Sequence, residues 1–180
     1  MKTVAIVPCY KSSNIAPSVV QDLFQYVDFV ICVDDNCPEK TGLKIKNTLK
    51  SEKLKVLFHS RNMGVGGATK TGINYAQKIK AEIIVKIDSD GQMNPKNIPQ
   101  LIEPILNKTS DFTKGNRFRN IDVLISMPKI RLIGNIFLSF ITKLSTGYWE
   151  LFDPTNGIIA LNTKILNRIQ YTKTDNRYFF

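Results

Sequence analysis

Short apolar runs alternate with longer amphipathic stretches from the start of the chain. Five runs have the length and apolar content of buried strands, at residues 4–9, 29–33, 54–58, 83–87 and 111–114. Helical spacing predicts helices near 15–26, 39–51, 66–80 and 95–107. The last has Pro95 in its first turn and Asn94 as its N-cap. Strands joined by helices in this way indicate right-handed βαβ units and a mostly parallel sheet.

The regular alternation stops after Gly115. Residues 121–149 are apolar and aromatic, with basic residues among them. The apolar positions at helical spacing are Ile133, Ile136, Phe137, Phe140, Ile141 and Leu144. They predict an amphipathic helix that either joins the core or lies on a membrane. A last strand is expected at 158–161. No cap follows Arg177, so we expect one domain over 1–180 that is truncated at its C-terminal end.

Candidate site residues lie at the ends of three of the predicted strands. They are Pro8 and Tyr10 at the end of the first, Asp34 and Asp35 after the second, and Asp88, Asp90 and Gln92 after the fourth. Because parallel strands end at one sheet edge, these groups should converge there. Carboxylate and amide oxygens suit Mg²⁺ or Mn²⁺ holding a diphosphate, while an aromatic ring and a carboxylate suit a nucleobase. For residues 34–36 alone, ordinary turn chemistry is the alternative.

A glycine-rich turn at residues 62–72 follows the third predicted strand and opens a helix. Its backbone N–H groups favour phosphate, and Gly64 and Lys70 are the candidate ligands. A P-loop is a minor alternative, because Thr69 stands where that motif requires its second glycine. The single histidine, His59, is expected to cap a strand end.

The net charge indicates which class of partner the protein binds, and the cysteine content indicates its cellular compartment. Lys and Arg number 25 against 15 Asp and Glu, a net charge of +10 that favours anionic partners. The three cysteines form no C-x-x-C pair, which predicts the reducing cytosol. The N-terminal apolar run is too short for a signal peptide, and no stretch has eighteen uninterrupted apolar residues.

Taken in order, the motifs resemble those of the family 2 glycosyltransferases of GT-A fold, especially the dolichyl- and polyprenyl-phosphate sugar transferase branch. The matching stretches are residues 7–10, 33–36, 62–68, 88–92, 115–118 and 153–157. The resemblance implies a three-layer α/β/α fold with a mostly parallel central sheet. It also implies a metal-dependent enzyme that moves a sugar, with inversion, from a nucleotide-diphosphate sugar to a polyprenyl phosphate. The expected location is the cytoplasmic face of a membrane, with peripheral membrane contact and no nucleic acid.

The resemblance also implies roles at matching positions. Pro8, Tyr10 and Asp35 would hold the nucleoside, Asp88 the ribose and diphosphate side, and Asp90 with Gln92 the metal. Arg117 and Arg131 would hold the acceptor phosphate, and Asp153 would lie near the acceptor. Cap or surface roles are the alternatives for Asp153 and Arg131. The expected catalytic residues are Asp88, Asp90, Asp153 and Arg117, and the expected metal ligands are Asp88, Asp90 and Gln92. The expected substrate-binding residues are Pro8, Tyr10, Asp34, Asp35, Gly64, Lys70, Asp88, Arg117 and Arg131.

Two departures from the family pattern keep other functions open. Lys11 and Ser12 replace the usual Asn-Glu after Pro-x-Tyr, and the acidic general base of many saccharide-acceptor members would follow the last residue of this chain. A family 2 transferase with a saccharide acceptor in cell-surface polysaccharide synthesis is one alternative. A non-catalytic nucleotide-sugar binding protein is the other.

Overall fold

The structure is a computed structural model, and it describes residues 1–116, 129–147, 149, 153 and 156–177. Strands and helices alternate along this part of the chain as the sequence predicts. The strands are β1 (Thr3–Cys9), β2 (Phe29–Asp34), β3 (Leu54–Phe58), β4 (Ile83–Lys86), β5 (Phe112–Lys114) and β6 (Ile159–Asn162). The helices are α1 (Ala16–Leu23), α2 (Thr41–Thr48), α3 (Gly64–Lys78), α4 (Ile98–Leu106) and α5 (Lys129–Thr146).

The described strands form one mixed sheet in the order β3-β2-β1-β4-β6-β5. Strands β1 to β4 run parallel to one another, with β1 paired to both β2 and β4 and β2 paired to β3. Strand β6 is antiparallel to β4 and to β5. The chain therefore winds outwards from β1 to β3 and then crosses back to place β4 on the other side of β1. That reversal is a topological switch point, where α/β folds bind ligands.

Helices cover both faces of the sheet, which confirms the three-layer prediction. One apolar cluster packs α1, α2 and α4 against one face, and a second cluster packs α3 and the 3₁₀ helix Thr163–Asn167 against the other. Helix α3 lies close to β1, because a Cβ on Gly72 would overlap the side chain of Ile6. Both layers hold the carboxyl ends of β1, β2 and β4 in fixed positions.

Local helix signals also agree with the sequence. The Asn94 side chain accepts a hydrogen bond from the backbone N–H of Lys96 at 3.0 Å and caps the 3₁₀ helix Pro95–Asn97, which leads into α4. Helix α3 begins at Gly64, two residues earlier than the glycine-rich sequence suggests. The first turn of α3 therefore belongs to that glycine-rich stretch.

Helix α5 confirms the predicted amphipathic helix but exposes its apolar residues. Ile130 is 88% exposed and Phe137 is 65% exposed, whereas the polar residues Ser139 and Lys143 are buried. The apolar positions therefore do not join the core in the described part of the protein. Of the helices in the described ranges, none has the length and apolar content needed to cross a bilayer.

Candidate active site

A cavity of about 390 Å³ opens at the switch point of the sheet. Pro8 lies near the end of β1 and Tyr10 follows that strand, Asp35 follows β2, and Asp88 and Asp90 follow β4; all five line this cavity. Residues distant in sequence meet here because the parallel strands β1, β2 and β4 end at one edge of the sheet. The predicted convergence of an aromatic ring with carboxylates is therefore present.

The two aspartates after β4, Asp88 and Asp90, have different hydrogen-bonding partners. The Nζ atom of Lys86 lies 2.5 Å from Oδ1 of Asp88, and Lys86 is only 4% exposed. Oδ1 of Asp90 accepts a hydrogen bond from the backbone N–H of Gln92 at 3.0 Å. Asp90 and Gln92 are exposed, so they can take further ligands, whereas Asp88 already has a cationic partner.

Gly157 leaves the space in which this ion pair sits. A Cβ at Gly157 would overlap Oδ2 of Asp88 and would lie 3.1 Å from Nζ of Lys86. Ser89, between the two aspartates, shares a hydrogen bond of 2.7 Å with the Ser12 hydroxyl and so ties this turn to the loop after β1. Contacts with Gly157 and with Ser12 therefore hold the turn that contains Asp88 and Asp90 in place beside the cavity.

The structure gives Asp34 and Asp35 different roles. Both carboxylate oxygens of Asp34 accept backbone N–H groups, from Cys37 in the following loop at 2.7 Å and from Gly42 in the first turn of α2 at 2.6 Å. Asp34 is not among the residues that line the cavity. Ordinary turn chemistry therefore accounts for both carboxylate oxygens of Asp34, and substrate binding by this residue stays a prediction.

Asp35 lines the cavity and also fixes the start of α3. Its Oδ1 accepts hydrogen bonds from Met63 N at 2.8 Å and from His59 Nδ1 at 2.7 Å, and its Oδ2 accepts one from Gly64 N at 2.7 Å. A carboxylate has about four acceptor positions. Oδ2 therefore retains one position for a further N–H donor.

His59 bridges a strand end and a helix. Its backbone N–H donates to the carbonyl of Asp34 at 2.9 Å, which continues the β2–β3 ladder, and its Nε2 lies 2.9 Å from the Thr71 hydroxyl on α3. The ring is therefore held between Asp35 and Thr71. Sequence reasoning placed His59 at a strand end but missed this contact with Asp35, which only the fold reveals.

The loop after β1 carries a cation beside the aromatic ring. Lys11 has a positive φ of 53°, and its ammonium lies 5.5 Å from the centre of the Tyr10 ring. The backbone N–H of Lys11 donates to the sulfur of Cys37 at 3.0 Å. Burial raises the pKa of the Cys37 thiol, but hydrogen bonds from Thr41 and Lys11 outweigh this effect and leave the pKa below its usual value.

The glycine-rich turn holds a segment of the protein itself. Gly64 lines the cavity, but its N–H donates to Asp35. Lys70 donates to the carbonyl of Thr172 at 3.1 Å and to the side chain of Asn176 at 2.9 Å, and it does not line the cavity. The described contacts of the Lys70 ammonium are therefore with the protein itself, and phosphate binding by Lys70 stays a prediction.

Comparison with known proteins identifies the family. Residues 4–170 match the family described as glycosyl transferase family 2. The chain is 33% identical, over 96% of its length and 74% of the relative's, to UDP-N-acetylglucosamine–dolichyl-phosphate N-acetylglucosaminyltransferase of Methanococcus voltae. The chain belongs to glycosyl transferase family 2. It is also 24% identical to undecaprenyl-phosphate mannosyltransferase of Micrococcus luteus, over 98% of this chain and 73% of that one.

Solved structures place this family 2 chain in the GT-A fold. Glucosyl-3-phosphoglycerate synthase from Mycobacterium tuberculosis, crystallised with Mn²⁺, UDP and its product, superposes with a TM-score of 0.70 at 17% identity. The match covers 92% of this chain and 58% of that one. The predicted fold class is therefore confirmed.

The donor groups of the family 2 site fit a divalent ion only in part. Asp88, Asp90 and Gln92 offer the hard oxygen atoms that Mg²⁺ and Mn²⁺ prefer. Across the described ranges, however, no three side chains of His, Cys, Asp or Glu cluster closely enough to hold a metal. A metal here would take its remaining ligands from phosphate oxygens and water, as Mg²⁺ commonly does.

Three expected acceptor-side residues have only partial descriptions. Arg117 lies outside the described residues, and Arg131 belongs to α5 without a described side chain. Asp153 is 2% exposed, its carbonyl accepts the N–H of Asn156 at 3.2 Å, and it is not among the residues lining the cavity. Their roles at the acceptor stay predictions.

Proposed function

We propose that this family 2 glycosyltransferase moves a sugar, with inversion, from a nucleotide-diphosphate sugar to a polyprenyl phosphate such as dolichyl or undecaprenyl phosphate. The observation that carries the proposal is the cavity at the switch point, where Tyr10, Asp35, Asp88 and Asp90 meet. The named activities of the Methanococcus and Micrococcus relatives, both on lipid phosphates, support the choice of acceptor.

The donor would bind across the strand ends, with its base near β2 and its diphosphate near β4. Tyr10 is 45% exposed and can stack on a base, while the free position on Oδ2 of Asp35 accepts a base N–H. Asp90 and Gln92 would hold Mg²⁺ or Mn²⁺ from the open side, and Asp88 would lie nearest the ribose and diphosphate. The metal, when bound, neutralises the negative charge that develops on the leaving diphosphate.

A phosphate acceptor suits the groups that the site contains. A lipid phosphate is already an anion at neutral pH, so it can attack the sugar without a general base, whereas a sugar hydroxyl requires one. Of the carboxylates lining the cavity, Asp88 pairs with Lys86 and Asp35 accepts three hydrogen bonds. Transfer to a phosphate therefore needs only correct placement of the two reactants and stabilisation of the leaving group.

Helix α5 would keep the enzyme at the membrane that contains this acceptor. Its apolar side chains face outwards, and the protein carries a net charge of +10, which attracts anionic lipid headgroups. The helix also contains Arg131, and Arg117 precedes it in the chain. Arg117 and Arg131 are the residues that would bind the phosphate of this acceptor, since guanidinium groups bind phosphate well.

The test is transfer from radiolabelled UDP- and GDP-sugars to undecaprenyl phosphate, dolichyl phosphate or a free oligosaccharide, with Mn²⁺ present. We expect transfer to a lipid phosphate that EDTA abolishes. Asp90→Asn should reduce it by at least about a hundredfold, since it removes a ligand charge beside the diphosphate. Asp111→Asn, on the opposite end of the sheet beside Asn162, is the matched control and should keep full activity.

Each other outcome identifies a different function. Transfer to the oligosaccharide alone would mean a saccharide acceptor. Binding of a nucleotide-diphosphate sugar without transfer to any acceptor would mean a non-catalytic binding protein. Full activity of Asp90→Asn in EDTA would overturn the metal role.

A further inference from the structure

One segment of the protein lies across the first turns of α3 and borders the cavity. We call residues 171–177 the strap. The carbonyl of Asn176 accepts a hydrogen bond from Gly67 N at 2.8 Å, and its side chain accepts one from Lys70 Nζ at 2.9 Å. At the other end of the strap, the Tyr171 hydroxyl donates to the Asn74 side chain of α3 at 3.0 Å.

Lys70 is the central fastening of the strap. Besides Asn176, its ammonium donates to the backbone carbonyls of Thr172 and Thr174. Three acceptors from one short segment use all three N–H groups of a lysine. Lys70 therefore has a defined partner for each proton, and all of these partners belong to the strap.

The glycines of the turn make room for this backbone. A Cβ on Gly66 would overlap the carbonyl oxygen of Asp175, and a Cβ on Gly64 would come within 2.6 Å of the carbonyl oxygen of Asn176. Gly64 also has a φ of +84°, which L side chains rarely adopt. The glycine-rich sequence that resembles a phosphate loop thus accommodates the strap.

The strap ends at the cavity with a positive charge. Arg177 lines the same cavity as Asp35, Asp88 and Asp90. Its guanidinium forms no ion pair with any residue in the described ranges. A guanidinium offers five N–H donors in a planar fork that matches phosphate oxygens.

We propose that Arg177 binds the diphosphate of the nucleotide donor and that Lys70 positions Arg177 by fastening the strap to α3. The inference rests on the proposed function, since it assumes a nucleotide-diphosphate ligand in this cavity. Lys70 acts here through Arg177 and does not touch the ligand. The two residues should therefore affect ligand binding as one unit.

A double-mutant cycle tests this dependence. The affinities for UDP and GDP in Mn²⁺ are measured by calorimetry for the wild type, Arg177→Ala, Lys70→Met and the double variant. For whichever nucleotide binds, Arg177→Ala should weaken binding about tenfold, as expected for losing a charge-assisted hydrogen bond. Lys70→Met should weaken it severalfold when Arg177 is present and should have no further effect in the Arg177→Ala background.

Matched control variants distinguish the loss of a specific contact in the strap from the loss of one positive charge. Lys78→Met, on the exposed last turn of α3, and Arg168→Ala, on the surface outside the strap, should bind as the wild type does. Arg177→Lys and Lys70→Arg keep the charge and should retain most of the affinity. Thermal unfolding of every variant shows whether it is folded. If Lys70→Met is unfolded, the affinities of Arg177→Lys and Lys70→Arg decide the result.

The outcomes distinguish this inference from the proposed function. If the wild type binds neither nucleotide, the proposed function fails and the inference fails with it. If the wild type binds one and Arg177→Ala binds it equally well, only the inference is overturned. Additive losses for Lys70→Met and Arg177→Ala would show that Lys70 acts independently of Arg177, and would overturn the positioning role.

Discussion

At the scale of single residues, the pairing of Lys86 with Asp88 affects how the site can hold a metal. A buried ammonium 2.5 Å from one of the two carboxylates opposes a second cation nearby. The nucleotide-free protein should therefore bind Mn²⁺ weakly. The diphosphate of the donor would add the negative charge and oxygen ligands that the metal lacks.

Lys86→Met should strengthen Mn²⁺ binding in the absence of nucleotide by at least about tenfold, because it removes one positive charge next to the ligands. Titration of free Mn²⁺ by electron paramagnetic resonance measures this affinity directly. Lys96→Met, at an exposed position near the same loop, controls for the change in net charge. Unchanged or weaker binding by a folded Lys86→Met protein would show that Lys86 does not oppose the metal.

Asp34 and Asp35 form a second matched pair of neighbouring residues. Asp35→Asn should weaken nucleotide binding by roughly 1–3 kcal/mol, since the amide replaces an acceptor that faces the cavity. Asp34→Asn disturbs two buried N–H contacts of a turn and should lower thermal stability without reducing nucleotide affinity. Calorimetry and thermal unfolding of both variants check this contrast. Equal affinity losses would contradict the separation of roles.

The sequence predicts which residues meet in the site better than it predicts the contacts that their side chains make. The convergence of Tyr10, Asp35, Asp88 and Asp90 follows from parallel strands ending at one edge. The roles of Lys86 and Lys70 depend on contacts that periodicity does not encode. Lys86 interrupts an apolar strand, which is a signal for a buried charge partner, but its partner becomes clear only when Asp88 and Gly157 are placed beside it.

At the scale of elements, Gly66 of α3 and Gly134 of α5 differ in the space available for an added side chain. Helix propensity alone predicts that Gly66→Ala and Gly134→Ala each stabilise the protein by about 1 kcal/mol. Around Gly134 there is open space within 4 Å, whereas a Cβ on Gly66 would overlap the backbone of the strap. The two helices should therefore respond differently to the same substitution.

We expect Gly134→Ala to raise the unfolding temperature by about 2–4 °C and Gly66→Ala to lower it. Gly66→Ala should also weaken nucleotide binding, because it displaces the strap that carries Arg177. Differential scanning calorimetry of both variants gives the comparison. If Gly66→Ala stabilises the protein as much as Gly134→Ala does, the strap does not need the close approach seen here.

At the scale of the whole molecule, the order of strands could be predicted only in part. The βαβ pattern predicts parallel pairing of β1 to β4, and the structure confirms it. Nothing in a short apolar run fixes its direction in the sheet, so the sequence does not predict the antiparallel placement of β6 between β4 and β5. Periodicity likewise predicts α5 as amphipathic but does not decide whether its apolar residues meet protein or lipid.

Membrane binding is therefore the prediction that concerns the whole molecule. Outward-facing apolar residues on α5 and a net charge of +10 should together bring the protein to anionic bilayers. Purified protein should sediment with vesicles of phosphatidylglycerol and phosphatidylcholine at low salt, and less so as salt screens the charge. Vesicles of phosphatidylcholine alone should bind it more weakly.

The variant Phe137→Glu decides whether α5 makes this contact. Burying a large apolar side chain contributes roughly 1.5–3 kcal/mol, so the substitution should reduce vesicle affinity by at least about tenfold. Leu43→Glu, at an exposed apolar position on α2, introduces the same charge away from α5 and should retain most of the binding. Equal losses in the two variants would mean that charge alone drives the attraction, and α5 would then have no specific part in reaching a lipid acceptor.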